Sequence, residues 1–220
     1  MKNIKIAPSI LSADFSRIGE EIKNITEQGA DVIHLDVMDG VFVNNISFGI
    51  PVLKSVKNIT DMFIDVHFMI IDPMKYVDAF VDAGADMITF HTESNVDIKS
   101  TIDKIHSRGI KAGLTVKPNT PIETVYEYLP FIENVLVMSV EPGFGGQGFI
   151  HDTMKKVSDV KKIIIENNYN CLVQVDGGIN DVTARIAIEA GADDIVSGTY
   201  LFKAENMKDA VQTIKSIKNG

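Results

Sequence analysis

Apolar and polar positions follow two different periods along this chain. Short runs rich in β-branched residues recur at 4–6, 32–37, 62–68, 87–90, 110–116, 135–140, 172–175 and 195–197, and each is predicted to be a strand. Between them, at 15–27, 73–83, 96–108, 122–129, 153–167, 182–190 and 206–217, apolar residues return every three to four positions, which predicts helices. Val77, Phe80 and Val81 show the spacing, as do Val157, Val160, Ile163 and Ile164. The connection 44–61 has weaker helical character. Pro73 after Asp72 and Pro121 after Thr120 stand where a first helical residue follows a capping side chain.

One punctuation mark recurs. Gln28-Gly29-Ala30-Asp31, Ala83-Gly84-Ala85-Asp86 and Ala190-Gly191-Ala192-Asp193 each fall between a predicted helix and the next strand, where glycine supplies the left-handed residue that ends a helix abruptly. Eight strand-then-helix units in 220 residues, about 27 residues each, suit a closed (β/α)8 TIM barrel. A doubly wound open sheet would carry Gly-x-Gly-x-x-Gly after its first strand, whereas the chain reads Pro8-Ser9-Ile10-Leu11-Ser12 there. With no linker or composition break, residues 1–220 are expected to form a single catalytic domain.

Composition narrows the function. With 45% hydrophobic and 23% charged residues the chain has the balance of a soluble globular protein. The single cysteine, Cys171, excludes an intrachain disulfide and a cysteine-based zinc site. A net charge of −9 argues against nucleic acid and anionic membranes as partners, so an anionic substrate would need a local site. The segment Met1–Phe15 lacks the basic-then-apolar pattern of a leader, no apolar run approaches the ~18 residues of a membrane span, and a cytoplasmic location is expected.

In a barrel of this kind, chemistry sits at the carboxyl ends of the strands. Ser9, His34, Asp36, Asp65, His67, His91, Glu141, Asp176 and Ser197 occupy those ends here. His34 and Asp36 are two residues apart in a strand and point to the same side; Ile33, Leu35 and Val37 form the apolar row that would face the helices, leaving the pair toward the barrel axis. His67, between Val66 and Phe68, repeats the pattern. Two histidines with Asp36 and Asp176 make an N₂O₂ set suited to one divalent cation per subunit, with zinc, manganese, cobalt and ferrous iron all compatible. Asp65 shares the face of His67, as an outer support of the ligands or an internal hydrogen-bond partner. His106 and His151 fall on helices and are expected in solvent, and the pattern assigns His91 no role. Met38, Met69 and Met138 could wall the site with soft apolar surface. The loop Glu141-Pro142-Gly143-Phe144-Gly145-Gly146-Gln147-Gly148, with Asp176-Gly177-Gly178 and Ser197-Gly198-Thr199, has the glycine density that lets backbone N–H groups approach a phosphate.

These residues resemble a known family. Ile6-Ala7-Pro8-Ser9-Ile10-Leu11-Ser12-Ala13-Asp14-Phe15, His34-Leu35-Asp36-Val37-Met38-Asp39-Gly40, Asp65-Val66-His67-Phe68-Met69, Glu141-Pro142-Gly143-Phe144-Gly145-Gly146-Gln147 and Val175-Asp176-Gly177-Gly178 are similar, in order and over essentially the whole chain, to the signatures of ribulose-phosphate 3-epimerases. The resemblance implies a (β/α)8 barrel of the pentose phosphate pathway that interconverts D-ribulose 5-phosphate and D-xylulose 5-phosphate. It implies His34, Asp36, His67 and Asp176 as metal ligands, and Asp36 and Asp176 as the acid/base pair. Substrate contacts are expected at Ser9 and His67, with Gly143, Phe144, Gly145, Gly146, Gly177, Gly178, Gly198 and Thr199 around the phosphate, in a homo-oligomer. Val41, Asn44, Phe68 and Gln174 depart from the commonest family residues. Epimerisation at carbon 3 of a 2-ketose needs a proton taken from one face and another returned to the opposite face, a task for two carboxylates. A ketohexose 6-phosphate such as D-allulose 6-phosphate is the alternative substrate, and a noncatalytic sugar-phosphate-binding barrel the alternative role.

Overall fold

The eight apolar runs form eight parallel strands: β1 (Lys5–Pro8), β2 (Val32–Met38), β3 (Phe63–Met69), β4 (Met87–His91), β5 (Lys111–Val116), β6 (Asn134–Met138), β7 (Leu172–Asp176) and β8 (Asp194–Ser197). The computed structural model describes residues 3–217, so the expected domain 1–220 extends beyond them at both ends, and Met1 and Lys2 of the leader reading lie outside them. The strands run in the order β1-β8-β7-β6-β5-β4-β3-β2. A parallel bridge between Ser9 and His34 brings β1 back to β2. Ile6 and Asp31 add two bonds at that seam: the Ile6 N–H donates to the Asp31 carboxylate and the Asp31 N–H to the Ile6 carbonyl, each at 2.9 Å. This is a nearly closed (β/α)8 barrel, as the alternation predicts.

Helices at Ile18–Glu27, Ile50–Lys57, Val77–Asp82, Ile98–Ser107, Met154–Glu166, Asp181–Ala190 and Met207–Lys215 cover the outside. Asp72 caps as expected, accepting the Lys75 N–H ahead of Pro73. The fifth connection differs from expectation. Ile122–Phe131 winds as a 3-10 helix with Pro130 inside it, and Pro121 is its extended N-cap residue rather than its first helical one. Proline offers no N–H for an α-helical bond, and the buried Ile122 and Val125, three apart, align on the three-residue turn. A short helix at Thr199–Phe202, which periodicity did not signal, follows β8. Among the described residues no helix is long and apolar enough to cross a membrane.

The repeated Gly-Ala-Asp turn does more than end a helix. Gly29, Gly84 and Gly191 have φ of +86°, +107° and +115°. The aspartate two residues later reaches back across the barrel's amino end to a neighbouring strand. Asp31, Asp86 and Asp193 accept the backbone N–H of Ile6, Ile64 and Val173, and each also binds a lysine, Lys215, Lys57 and Lys161 respectively. One local motif, used three times, ties helix end, strand end and covering helix together.

Inside the barrel the amino-end layer is polar. Asn134 Nδ2 donates to Gln174 Oε1 at 2.9 Å, and Gln174 Nε2 to Asp194 Oδ2 at 3.2 Å, leaving Asp194 Oδ1 without a partner among the described residues. Burial, with Asp65 nearby, pushes the Asp194 carboxyl up to about 7. A carboxyl whose pKa is higher folded than unfolded favours the native state while protonated, so its contribution is complete below pH ~4 and fades as the pH rises toward 7. Asp194→Asn is expected to remove that fade, with a parent-minus-variant difference on the order of a few kcal/mol across this interval. Urea titrations at pH 4, 5.5 and 7 measure it, and equal slopes in the two proteins would show that Asp194 ionises in the native state as it does in the unfolded chain.

Candidate active site

Strand register assembles the site. β2 and β3 align so that His34 lies beside Asp65 and Asp36 beside His67, and β3 sets His67 beside Thr89 of β4. The intervening Ile33, Leu35, Val37, Val66 and Phe68 belong to the apolar layer under the helices, so the polar set faces the axis as predicted. Alternation alone supplies this inward row; register decides which residues meet.

The imidazoles are oriented from outside. His34 Nδ1 is 3.1 Å from Asp65 Oδ2, and Asp65 is itself held by a 2.9 Å bond from Thr89 Oγ1. His67 turns its Nε2 outward to His91 Nε2 at 3.0 Å. The inner nitrogens therefore converge: His34 Nε2 and His67 Nδ1 are 3.4 Å apart, Asp36 Oδ1 is 3.4 Å from the first and 3.0 Å from the second, and Asp176 Oδ2 is 4.0 and 3.9 Å from them. One donor atom from each of the four residues lies within 4.8 Å of the others, close enough to hold a metal ion. Ser9 Oγ donates to the other oxygen of Asp36 at 2.6 Å.

The chemistry of this donor set fits a divalent cation. With the outer nitrogens engaged in hydrogen bonds, four lone-pair donors face one another in a nearly dry space, an arrangement that only a positive charge can hold together. The electrostatics of the residues alone give the same demand. Burial disfavours a charged His34, yet the carboxylates of Asp36 and Asp65 hold its pKa well above the ordinary imidazole value. Burial would raise Asp36, but His34 and His67 override it and keep that carboxyl well below its usual range. Asp176 goes the other way: burial and the charge of Asp36 push it up to about 6. Two carboxyls of one cluster are thus driven apart, the pattern by which acid and base roles separate.

Above the cluster is a cavity. Ser9, Asp36, Asp176, Gly143, Phe144, Gly145, Gly146, Gly177, Gly178, Gly198 and Thr199 all line it, and Met38, Met69 and Met138 contribute apolar wall as expected. Of the two acids Asp176 is the more open, its side chain 16% exposed against 4% for Asp36. His34 and His67 lie fully buried beneath the cavity and do not line it. Two strand-end candidates stay out: Ser197 Oγ is turned to the Ile179 carbonyl, and Glu141 is exposed and bound by Asn119. His106 and His151 are exposed as predicted.

Ser12 lines the cavity, a placement the strand-end argument missed because the residue lies in the turn beyond β1. Its hydroxyl is 3.3 Å from Thr199 Oγ1, and a Cβ at Gly198 would come within 2.6 Å of it. Its signal was membership of the Ile6–Phe15 motif. Asn45 Nδ2 donates to the Gly143 carbonyl at 2.7 Å, linking the loop after β2 to the glycine loop after β6. The four departures from the family pattern all lie off the cavity. Val41 is 72% exposed, Asn44 is on the surface, Phe68 packs edge-on against Phe80, and Gln174 is in the polar layer described above.

Fold and site together define a (β/α)8 barrel with a candidate metal centre at the carboxyl ends of its strands. A sequence model of the ribulose-phosphate 3 epimerase family matches residues 5–202, and the chain belongs to that family. It is 44% identical over 216 residues to the ribulose-phosphate 3-epimerase of Bacillus subtilis (strain 168), covering 98% of this chain and 100% of that one. To the chloroplastic ribulose-5-phosphate-3-epimerase of Arabidopsis thaliana it is 42% identical over 218 residues, covering 98% and 78%. Among solved structures, 3-hexulose-6-phosphate synthase from Salmonella typhimurium matches with a TM-score of 0.73 at 14% identity, covering 97% of this chain and 98% of that one, a likeness of fold alone.

Proposed function

We propose that this protein interconverts D-ribulose 5-phosphate and D-xylulose 5-phosphate by moving a proton at carbon 3. The carrying observation is that Asp36 and Asp176, donated by β2 and β7, line one cavity and share one imidazole cluster. One carboxylate takes the carbon-bound proton from its face of the ketose, and the other returns a proton to the opposite face; the roles exchange in reverse. Ser9, bonded to Asp36 Oδ2, fixes the orientation of that carboxylate while its Oδ1 faces the imidazoles. His34, Asp36, His67 and Asp176 would hold zinc, manganese, cobalt or ferrous iron, which when bound supplies Lewis-acid stabilisation of charge developing on the substrate oxygens. The methionine wall excludes water from the carbanion-like stage.

At the other end of the cavity the glycine-bearing loops after β6, β7 and β8 meet near the Ser12 and Thr199 hydroxyls, a surface of backbone and hydroxyl donors suited to the phosphate. Family membership favours the pentulose phosphate over a hexulose phosphate. The test is an epimerase assay on D-ribulose 5-phosphate in deuterium oxide, before and after chelation and with metal added back. Product labelled at carbon 3, loss of activity on chelation and its return with metal are expected. No turnover by the metal-loaded protein, or full turnover after complete metal removal, would overturn the proposal.

A further inference from the structure

His67 differs from His34 in how it is held. His34 rests directly on a carboxylate, Asp65, whereas His67 rests on another histidine. His67 Nε2 is 3.0 Å from His91 Nε2, with ring centroids 5.1 Å apart and planes 26° apart. That centroid distance with so short a nitrogen contact describes two rings meeting edge to edge in nearly one plane, the geometry of an N–H···N bond. His91 Nδ1 lies 3.1 Å from Glu93 Oε2. The opposite oxygen of Glu93, Oε1, accepts the Lys117 N–H at 2.8 Å and the Thr120 hydroxyl. His91 is fully buried, and the ring of Phe42 closes over it at 4.7 Å.

The direction of each proton follows from the far end. Glu93 is an acceptor, so His91 Nδ1 must donate to it. The neutral buried ring then has only a lone pair at Nε2, so His67 Nε2 must be the donor. As a neutral ring His67 is thereby left with its lone pair on Nδ1, 3.0 Å from Asp36 Oδ1, where a bound cation would take the place of a proton shared with that carboxylate. We infer that Glu93 and His91 are positioning residues that set the tautomer of His67, through a Glu93–His91–His67 chain whose every proton points away from the candidate metal centre. The inference rests on the proposed metal centre for its consequence, though the proton order itself does not.

An isosteric change should invert the whole chain. In Glu93→Gln the single amide oxygen is claimed by the Lys117 N–H and Thr120 hydroxyl, so its NH₂ faces His91 Nδ1. That nitrogen must then accept, His91 Nε2 becomes the donor, and His67 carries its proton on Nδ1, where it blocks coordination. His91→Gln breaks the dependence, because its amide oxygen can accept the His67 proton whatever stands at 93.

The experiment measures zinc(II) affinity by chelator competition, together with ¹⁵N NMR of the histidines in metal-free protein, for the parent, Glu93→Gln and the double variant Glu93→Gln/His91→Gln. Circular dichroism verifies that each is folded. Glu93→Gln is expected to weaken zinc binding by about 10- to 100-fold, with His67 Nε2 losing its proton and becoming the acceptor of the His91 Nε2 proton. The double variant is expected to recover most of that affinity, which a merely structural role for Glu93 would not produce. Unchanged zinc affinity and tautomer in Glu93→Gln, or a double variant no tighter than the single one, overturns the inference. A parent that binds no zinc(II) while the tautomers shift as described would instead count against the metal centre and leave the proton chain standing.

Discussion

Asp176→Asn is expected to lower turnover by about 10²- to 10⁴-fold, the share that a positioned general acid or base contributes. The amide keeps the size of the side chain and one oxygen toward the imidazole cluster, so fold and much of the metal affinity should persist. What it loses is the ability to take or give a proton at the cavity. Asp36 remains, bonded by Ser9 and ionised by its imidazole neighbours. The variant should therefore still exchange the carbon-3 proton of one of the two sugars with deuterium oxide while failing to convert it to the other. Exchange measured on each sugar separately checks this. A normal rate, or exchange lost equally for both sugars in a variant that retains its metal, would sink the two-carboxylate scheme.

Gly177→Ala is expected to be the most disruptive single-methyl change at the site. Gly177 has φ of +122°, and a Cβ there would fall 2.5 Å from the Val140 side chain and 2.8 Å from its backbone nitrogen. Both the conformation and the space exclude it. The peptide cannot yield readily, because Ser139 Oγ holds the carbonyls of Asp176 and Gly177 at 2.9 and 2.7 Å. Backbone strain and overpacking together should cost roughly 3 kcal/mol or more, which in a chain of this size lowers Tm by about 6–12 °C. Activity should fall further than stability, since any relief displaces the adjacent Asp176. Gly109→Ala is the control: φ there is +77° and no atom lies within 4 Å of its Cβ, so only the conformational part of the cost remains. Equal melting temperatures for the two variants would show that the Val140 contact is not the constraint.

Much of the site was legible before any tertiary contact was known. The His34-x-Asp36 spacing and its echo at His67 state an inward polar row, because side chains in a strand alternate whatever surrounds them. Asp176 at a strand end and glycines after β6, β7 and β8 follow from the placement of strands, which apolar runs and helix-ending glycines mark locally. Other features were not legible. The 3-10 winding of Ile122–Phe131 escaped because apolar residues three and four apart suit an α-helix equally well, and only Pro130 hinted otherwise. Ser12 reaches Thr199 across 187 positions of sequence, a distance no spacing rule spans.

The primary structure by itself determined the eight alternating units, the inward direction of the acids and imidazoles, and the chemistry they are able to support, since each of these is written in periods of two or a few residues. The tertiary structure alone decided who faces whom. Register between β2 and β3 chose Asp65 as the partner of His34, and closure of the barrel brought Asp176 from β7 to the pair on β2. The turn beyond β4 carried Glu93 back to His91, and His91 to the outer nitrogen of His67. Those relations depend on hydrogen-bonded pairing between distant segments, where a slip of one residue would turn every side chain to the wrong face.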